Sequence, residues 1–305
     1  MLVPSAPLLK KARAGRYAVP AFNINNLEIL TAVMAAAREM RSPVILQTSE
    51  GAIEYAGMDM LVAMVRTATM GKLPVVLHLD HGKHLATVRK AIAAGYTSVM
   101  FDGSALKDKQ NIAKTKEVVR LAHAAGISVE AEIGVLAGIE DLVSVDEQDA
   151  ALTDPKEAED FVKATGCDAL AVAIGTSHGA FKFLQRSRLD IERLAKIAKR
   201  VSIPLVLHGA SGVPQDLVKK AKRYGAKLDH PHGVSDENIR AAIRNGIAKI
   251  NIDTDLRMAF TAGVREALMT NRAEIDPRKI LSPAMAEMTA LAKHKMKLFG
   301  SAGKA

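Results

Sequence analysis

The sequence predicts an α/β protein in which eight parallel strands close into a (β/α)8 (TIM) barrel, and three observations carry that expectation. Short apolar runs recur along the 305 residues, amphipathic segments rich in Ala, Lys and Glu lie between them, and polar residues collect at the C-terminal end of one run after another. A strand-then-helix repeat gives a parallel sheet, and eight such units in this length are enough to close it.

The runs are YAVPAFN (17–23), PVILQTS (43–49), PVVLHLD (74–80), SVMFDGS (98–104), SVEAEIG (128–134), ALAVAIG (169–175), PLVLHGA (204–210) and IAKINIDT (247–254). Stretches such as LEILTAVMAAAREM and EDFVKATG read as the helices between them, with Gly or Pro at the returns. A doubly wound open sheet is the alternative, but no run is followed by a GxGxxG dinucleotide turn. Asn23, Ser49, Asp80, Asp102, Glu132, His208, Asn251 and Asp253 all stand at or near the end of a run. In a barrel those ends share one face, which is where active sites are built. Loop residues facing solvent would explain one or two of them; seven of the eight runs with the same habit point to a site.

Composition bounds the function. With 49% hydrophobic residues the chain can bury a large core, and residues 1–305 are expected to form one barrel domain with a C-terminal helical segment at about 276–300. No apolar run approaches the roughly 20 residues of a membrane span, and the opening MLVPSAPLLKKARAG lacks the order of a secretory signal, so a cytoplasmic protein with no membrane partner is expected. The single cysteine, Cys167, excludes an internal disulfide and reads as a small core residue. The formal charge of +9 is spread along helical segments, and aromatic residues are 4% of the chain. Solvated helix faces and an anionic, phosphorylated substrate explain that charge better than nucleic acid does.

Histidines carry the chemistry. In VVLHLDHGKH the alternation of a strand puts Val76, His78 and Asp80 on one face, with Asp80 in the barrel mouth and His81 opening the loop. His178, in IGTSHGAF, and His208, ending LVLHGASG, occupy matching places after strands six and seven. Three converging imidazoles resemble a catalytic zinc site, with three protein ligands and one open position. His78, His84 and His123 read as hydrogen-bonded core or loop residues, His78 with a role supporting the ligands. His230 and His232, in DHPHG, read as a connecting loop before a helix capped by Ser235.

LHLDHG, VEAEIG with GIED behind it, IGTSHGAFK, LVLHGASGV and KINIDTDLR, in that order and spacing, resemble the class II, zinc-dependent fructose-bisphosphate aldolases, and the likeness runs from VPAFNINN to DPRKIL. The resemblance implies that His81, His178 and His208 hold Zn2+, which polarises the substrate ketone as the C3–C4 bond breaks. Asp80 would exchange the proton of the C4 hydroxyl, and Glu132 would serve as an alternate ligand. Glu140, in the long segment after strand five, would handle the C3 proton, although AGIEDL replaces the Gly-Gly and paired acids usual in the family. Gly179, Gly209 and Ser211 correspond to contacts with phosphate and a monovalent cation, Na+ or K+, and Lys182 stands beside them. The blander reading of HGASGV is a strand-to-helix turn, but backbone N–H groups in a glycine turn suit an anion. Asn251 would bond substrate oxygens, Thr254 a phosphate, and Arg257 and Arg278 the second phosphate, one of them from a neighbouring subunit. Asn23 and Ser49 complete the implied substrate residues, and a homodimer or homotetramer is implied.

The expected reaction is therefore reversible cleavage of fructose 1,6-bisphosphate to dihydroxyacetone phosphate and glyceraldehyde 3-phosphate. Tagatose 1,6-bisphosphate, which differs at C4, is the alternative substrate, and Asp253 is the residue placed to tell the two apart. Two readings from other classes are a Schiff-base aldolase using Lys249, which shares the parity of Asn251, and a nucleic-acid-binding protein resting on the charge alone.

Overall fold

The computed structural model describes residues 1–134, 137–140, 143–145, 151–178, 189–228 and 232–305, excepting the side chains of 137–140, 143–145 and 177–178. The eight strands are β1 (Val19–Asn23), β2 (Val44–Thr48), β3 (Val75–Gly82), β4 (Ser98–Phe101), β5 (Ser128–Ile133), β8 (Ala169–Val172), β10 (Leu205–Leu207) and β11 (Ile247–Ile252). They close in sequence order, every neighbouring pair parallel, with β1 bonded to β11. This is the (β/α)8 barrel that the repeat predicts. Between β5 and β10 the chain adds a small sheet the repeat did not reveal, in which β6 (Ala137–Glu140) lies between β7 (Val143–Val145) and β9 (Ser177–His178).

Alternation sorts the strand residues into two layers. Phe22, Leu46, Leu77, Leu79, Val99, Phe101, Val129, Leu170, Leu205 and Ile250 point outward and pack under the helices in one large core. Val19, Ala21, Ile45, Val76, Ala169, Ala171, Val206 and Ala248 form a second cluster with Leu8, Leu9 and Ala12 of helix α1 (Ser5–Ala14) and with Tyr17. The first helix thus closes the N-terminal end of the barrel. Its start has Pro4 and no side-chain cap of its own, and the N–H of Ala6 is taken instead by Ser128 Oγ of β5 at 2.9 Å. A helix N-terminus with unsatisfied donors is thereby docked onto an acceptor inside the barrel.

The remaining helices follow local rules. Asn26 caps α2 (Leu27–Met40) and Asp154 caps α7 (Pro155–Thr165), each through a side-chain oxygen. Ser235 caps α10 (Asp236–Arg244), as the sequence predicts. The chain ends in α11 (Thr254–Thr270) and the long α12 (Pro277–Leu298), which packs against α11 and α2.

Candidate active site

The strand β3 delivers two adjacent residues to one place, which plain alternation forbids. Leu79 pairs with Val99 but Gly82 pairs with Phe101, so an extra residue is inserted in β3. His81 takes the left-handed conformation, with φ 47°, at this bulge. The loop that the sequence reading begins at His81 therefore starts later, because the strand runs on to Gly82. The bulge turns His81 back toward the interior that Asp80 also faces. Gly82 completes it: a Cβ there would stand 2.7 Å from the carbonyl oxygen of Met100. Holding a non-glycine residue in this conformation costs of order 1–3 kcal/mol, and such outliers cluster at functional sites.

Asp80 is buried and clasped by three amides. Asn23 Nδ2 donates to its Oδ2 at 2.8 Å, Gln47 Nε2 to the same oxygen at 3.0 Å, and Asn251 Nδ2 to Oδ1 at 3.0 Å. Gln47 also donates to Asn23 Oδ1 at 2.7 Å, which fixes both amides. The side-chain oxygens of Gln47 and Asn251 are buried and accept no hydrogen bond among the described residues. Asn251 Oδ1 is thus a buried acceptor with no donor among the described residues.

The two histidines meet edge to face, with ring centroids 4.6 Å apart. His81 Nδ1 lies 2.9 Å from Asp102 Oδ2, and His208 Nε2 lies 2.8 Å from Glu130 Oε1. A carboxylate accepts, so those two nitrogens donate, and His81 Nε2 and His208 Nδ1 face each other 2.7 Å apart. A carboxylate behind each imidazole is the usual arrangement for metal-bound histidine. Burial pushes the His208 imidazole below its ordinary value and the adjacent His81 adds to this, against the opposing pull of Glu130. Burial by itself would raise Asp102, but the hydrogen bond and charge of His81, with two bonds from Ser104, hold its carboxyl well below the usual range.

Asp80, His81 and His208 offer ligand atoms within 4.8 Å of one another, and so do His81, Asp102 and Glu132. The second group sets Glu132 Oε2 at 3.6 Å from His81 Nδ1. Beneath them Glu130 Oε2 pairs with the buried Lys249 Nζ at 2.8 Å, and Lys249 also approaches His78 Nε2 at 3.4 Å. His78 Nδ1 then meets Ser98 Oγ at 2.8 Å, so His78 is a hydrogen-bonded core residue. Lys249 is paired with Glu130 and stands two residues before Asn251 on β11, so it lies deeper in the barrel than the mouth.

The turn after β10 has the form of an anion site. The backbone N–H groups of Gly209, Ala210 and Ser211 donate to no acceptor among the described residues, although Ala210 and Ser211 are buried. Gly209 has φ 60° and Val213 φ 47°. A β-branched residue in the left-handed region is an outlier, and Val213 is held there by its N–H donating to Asp255 Oδ1 at 2.7 Å.

On the other side of the mouth a cleft of about 470 Å3 is lined by Asn23, Ser49, Tyr55, Asp253 and Arg257, among others. Ser49 Oγ accepts from the N–H of Ala52 and caps α3 (Glu50–Ala56). Arg257 Nε donates to Asp253 Oδ1 at 2.8 Å and its Nη2 lies 2.8 Å from Oδ2, a two-point fork that joins the two residues expected to meet different parts of a substrate. Thr254 opens α11 beside them. Arg278 is not brought to this cluster: it is 88% exposed and forks onto Asp276.

The backbone of His178 follows β8 and pairs with Gly138 in the small sheet, and Glu140 ends β6; their side chains, and Gly179, Lys182 and His230, lie outside the described residues. His84 is exposed near Glu50, and His123 bonds Asp168. Sequence reasoning passed over Gln47, Glu130 and the role of Asp102. A parity signal for the first two existed, since Gln47 is two residues from the inward Ile45 and Glu130 two from Glu132.

The model of the family described as fructose-bisphosphate aldolase class-II matches residues 3–228 and 231–304. A fructose-bisphosphate aldolase of Thermus caldophilus is 53% identical over 305 residues, and one of Helicobacter pylori 49% over 306, each alignment covering 100% of both chains. Among solved structures, the YdjI aldolase of Escherichia coli K12 superposes with a TM-score of 0.81 at 35% identity over 100% of both chains. Carboxylate-backed histidines at the mouth of a closed barrel, and these likenesses over the whole length, have one source: the chain belongs to the class II fructose-bisphosphate aldolase family.

Proposed function

We propose that this protein cleaves fructose 1,6-bisphosphate reversibly to dihydroxyacetone phosphate and glyceraldehyde 3-phosphate, with zinc as its metal. Membership of the family implies a divalent ion and a phosphorylated sugar substrate. The observation that carries the reading is the convergence of the Asp80 carboxylate with His81 and His208 within 4.8 Å, each imidazole backed by a carboxylate. His81 and His208, with His178, would hold the ion, and Glu132 would be an alternate ligand. A bound divalent ion supplies Lewis-acid polarisation of the substrate carbonyl.

The chain's own groups do the rest. Asp80 takes the C4 hydroxyl proton in cleavage and returns it in condensation, and the amides of Asn23, Gln47 and Asn251 keep its carboxylate aimed at that proton. Asn251 Oδ1 accepts from a substrate hydroxyl. Glu140 handles the C3 proton. The N–H groups of Gly209, Ala210 and Ser211 hold one phosphate, with Gly179, Lys182 and a monovalent cation, Na+ or K+, beside it. The cleft of Asn23, Ser49, Asp253 and Arg257 receives the other end of the sugar, joined by Arg278 from a second subunit, while Thr254 bonds the first phosphate. The proposal has residues 1–305 as one catalytic barrel domain and the protein as a cytoplasmic homodimer or homotetramer; no helix among the described residues is long and apolar enough to cross a membrane.

Metal analysis of the purified protein, joined to an aldol cleavage assay with and without chelator, tests this reading: activity should follow bound zinc, and borohydride should trap no Schiff base on Lys249. For substrate choice, the Asp253–Arg257 fork fixes a carboxylate at the edge of the cleft, where it can pair with hydroxyls of one C4 configuration and not the other. kcat/KM should favour fructose over tagatose 1,6-bisphosphate, and the gap should shrink in Asp253→Ala. Comparable values for the two sugars in the unaltered protein would favour the tagatose reading.

A further inference from the structure

The turn after β10 is shaped from outside the barrel. Asp255, in the first turn of α11, is fully buried, and both its oxygens face that turn: Oδ2 accepts the N–H of Gly212 at 3.0 Å and Oδ1 that of Val213 at 2.7 Å. The charge of this carboxylate is met by Lys295 of α12, itself 3% exposed, whose Nζ lies 2.7 Å from Oδ2. Lys295 also abuts the turn, since a Cβ on Gly212 would come within 3.0 Å of Nζ. The side chain of Val213 is seated against Val218, Ala221, Met258 and Ala262.

A buried ion pair that only filled space could be replaced by apolar groups without loss. This one does something apolar groups cannot do, because it accepts two N–H groups of a turn whose preceding three N–H groups find no acceptor among the described residues. By engaging Gly212 and Val213 and holding Val213 in a left-handed conformation, Asp255 leaves Gly209, Ala210 and Ser211 as the donors facing an incoming anion. Without the ammonium, the carboxylate would be an isolated buried charge and would draw in water or a proton, and the turn would lose its fixed acceptor.

We propose that Lys295 of the C-terminal helix is a positioning residue for substrate phosphate, acting through Asp255 on the 209–213 turn. This rests on the reading of that turn as the phosphate site. The test is Lys295→Met, read by KM and kcat for fructose 1,6-bisphosphate, by competitive inhibition with inorganic phosphate, and by bound metal. We expect KM and the phosphate inhibition constant to rise about tenfold or more, kcat to stay within about threefold and metal content to be unchanged, with Lys295→Arg closer to the parent. A variant that melts earlier but keeps the parent's KM and phosphate inhibition would overturn the proposal and leave the pair a structural one. Should Lys295→Met fail to fold, the neutral pair Lys295→Met with Asp255→Asn decides by the same two constants, parent-like values again overturning it. Failure of inorganic phosphate to compete in the unaltered protein would instead remove the turn as an anion site, and the proposal with it.

Discussion

The two ends of the barrel are made by the same eight strands and treat water in opposite ways. At the N-terminal end, Val19, Ala21, Ile45, Val76 and Val206 are sealed by Leu8, Leu9 and Ala12 of α1. At the C-terminal end, two to four residues further along the same strands, stand Asn23, Gln47, Asp80 and His208. Between them runs a column of polar contacts from Ser5 through Ser98, His78, Lys249 and Glu130 to His208. Every member of that column has a partner, so the barrel keeps charge in its interior without leaving it bare. The difference teaches that stability and chemistry are divided along the strand axis, with the column as their only overlap among the described residues.

The comparison can be broken most sharply at His208. His208→Ala should lose bound metal and nearly all activity while circular dichroism and melting remain close to the parent, because Glu130 keeps Lys249 as its partner. Full metal content by atomic absorption would take His208 out of the site. Asp80→Ala, one step milder, should keep its metal and lose about 10²- to 10⁴-fold in turnover, the range of a positioned acid or base. Near-normal cleavage would end that role for Asp80.

At the opposite end the expected effect changes kind. Leu9→Ala removes a fully buried side chain from the plug and should destabilise the protein by about 2–5 kcal/mol in urea unfolding, with KM for the sugar unchanged. A rise in KM of the same size as the effect of a mouth variant would show that the ends are not independent. The smallest effect is a null. Burial pushes the Cys167 thiol up to about 12, so the folded protein should resist iodoacetamide at neutral pH and take up one equivalent only after unfolding.

How far the site could be read in advance varies residue by residue. Asp80 and Asn251 are legible because strand parity and a terminal position each point to the mouth, and the structure joins them at 3.0 Å. His81 is legible as a residue but not as a geometry, since the bulge that turns it inward depends on the register between β3 and β4. Asp253 and Arg257 are four apart on a helix start, so their fork was within reach of spacing alone. Lys295 was not, because 40 positions separate it from Asp255 and only the packing of α12 on α11 brings their charges together.

The sequence by itself determined the architecture: eight apolar runs of strand length, each returned by an amphipathic helix, admit few arrangements that bury both faces of every strand, and a closed parallel barrel is one. It also determined which end is polar, because that depends only on where along each run the apolar residues stop. Tertiary structure decided the rest: which carboxylate backs which histidine, how β3 bulges at His81, and how a helix at the chain's end grips the turn after β10. Those are distances between segments far apart in the chain, and periodicity, being a local property, holds no information about them.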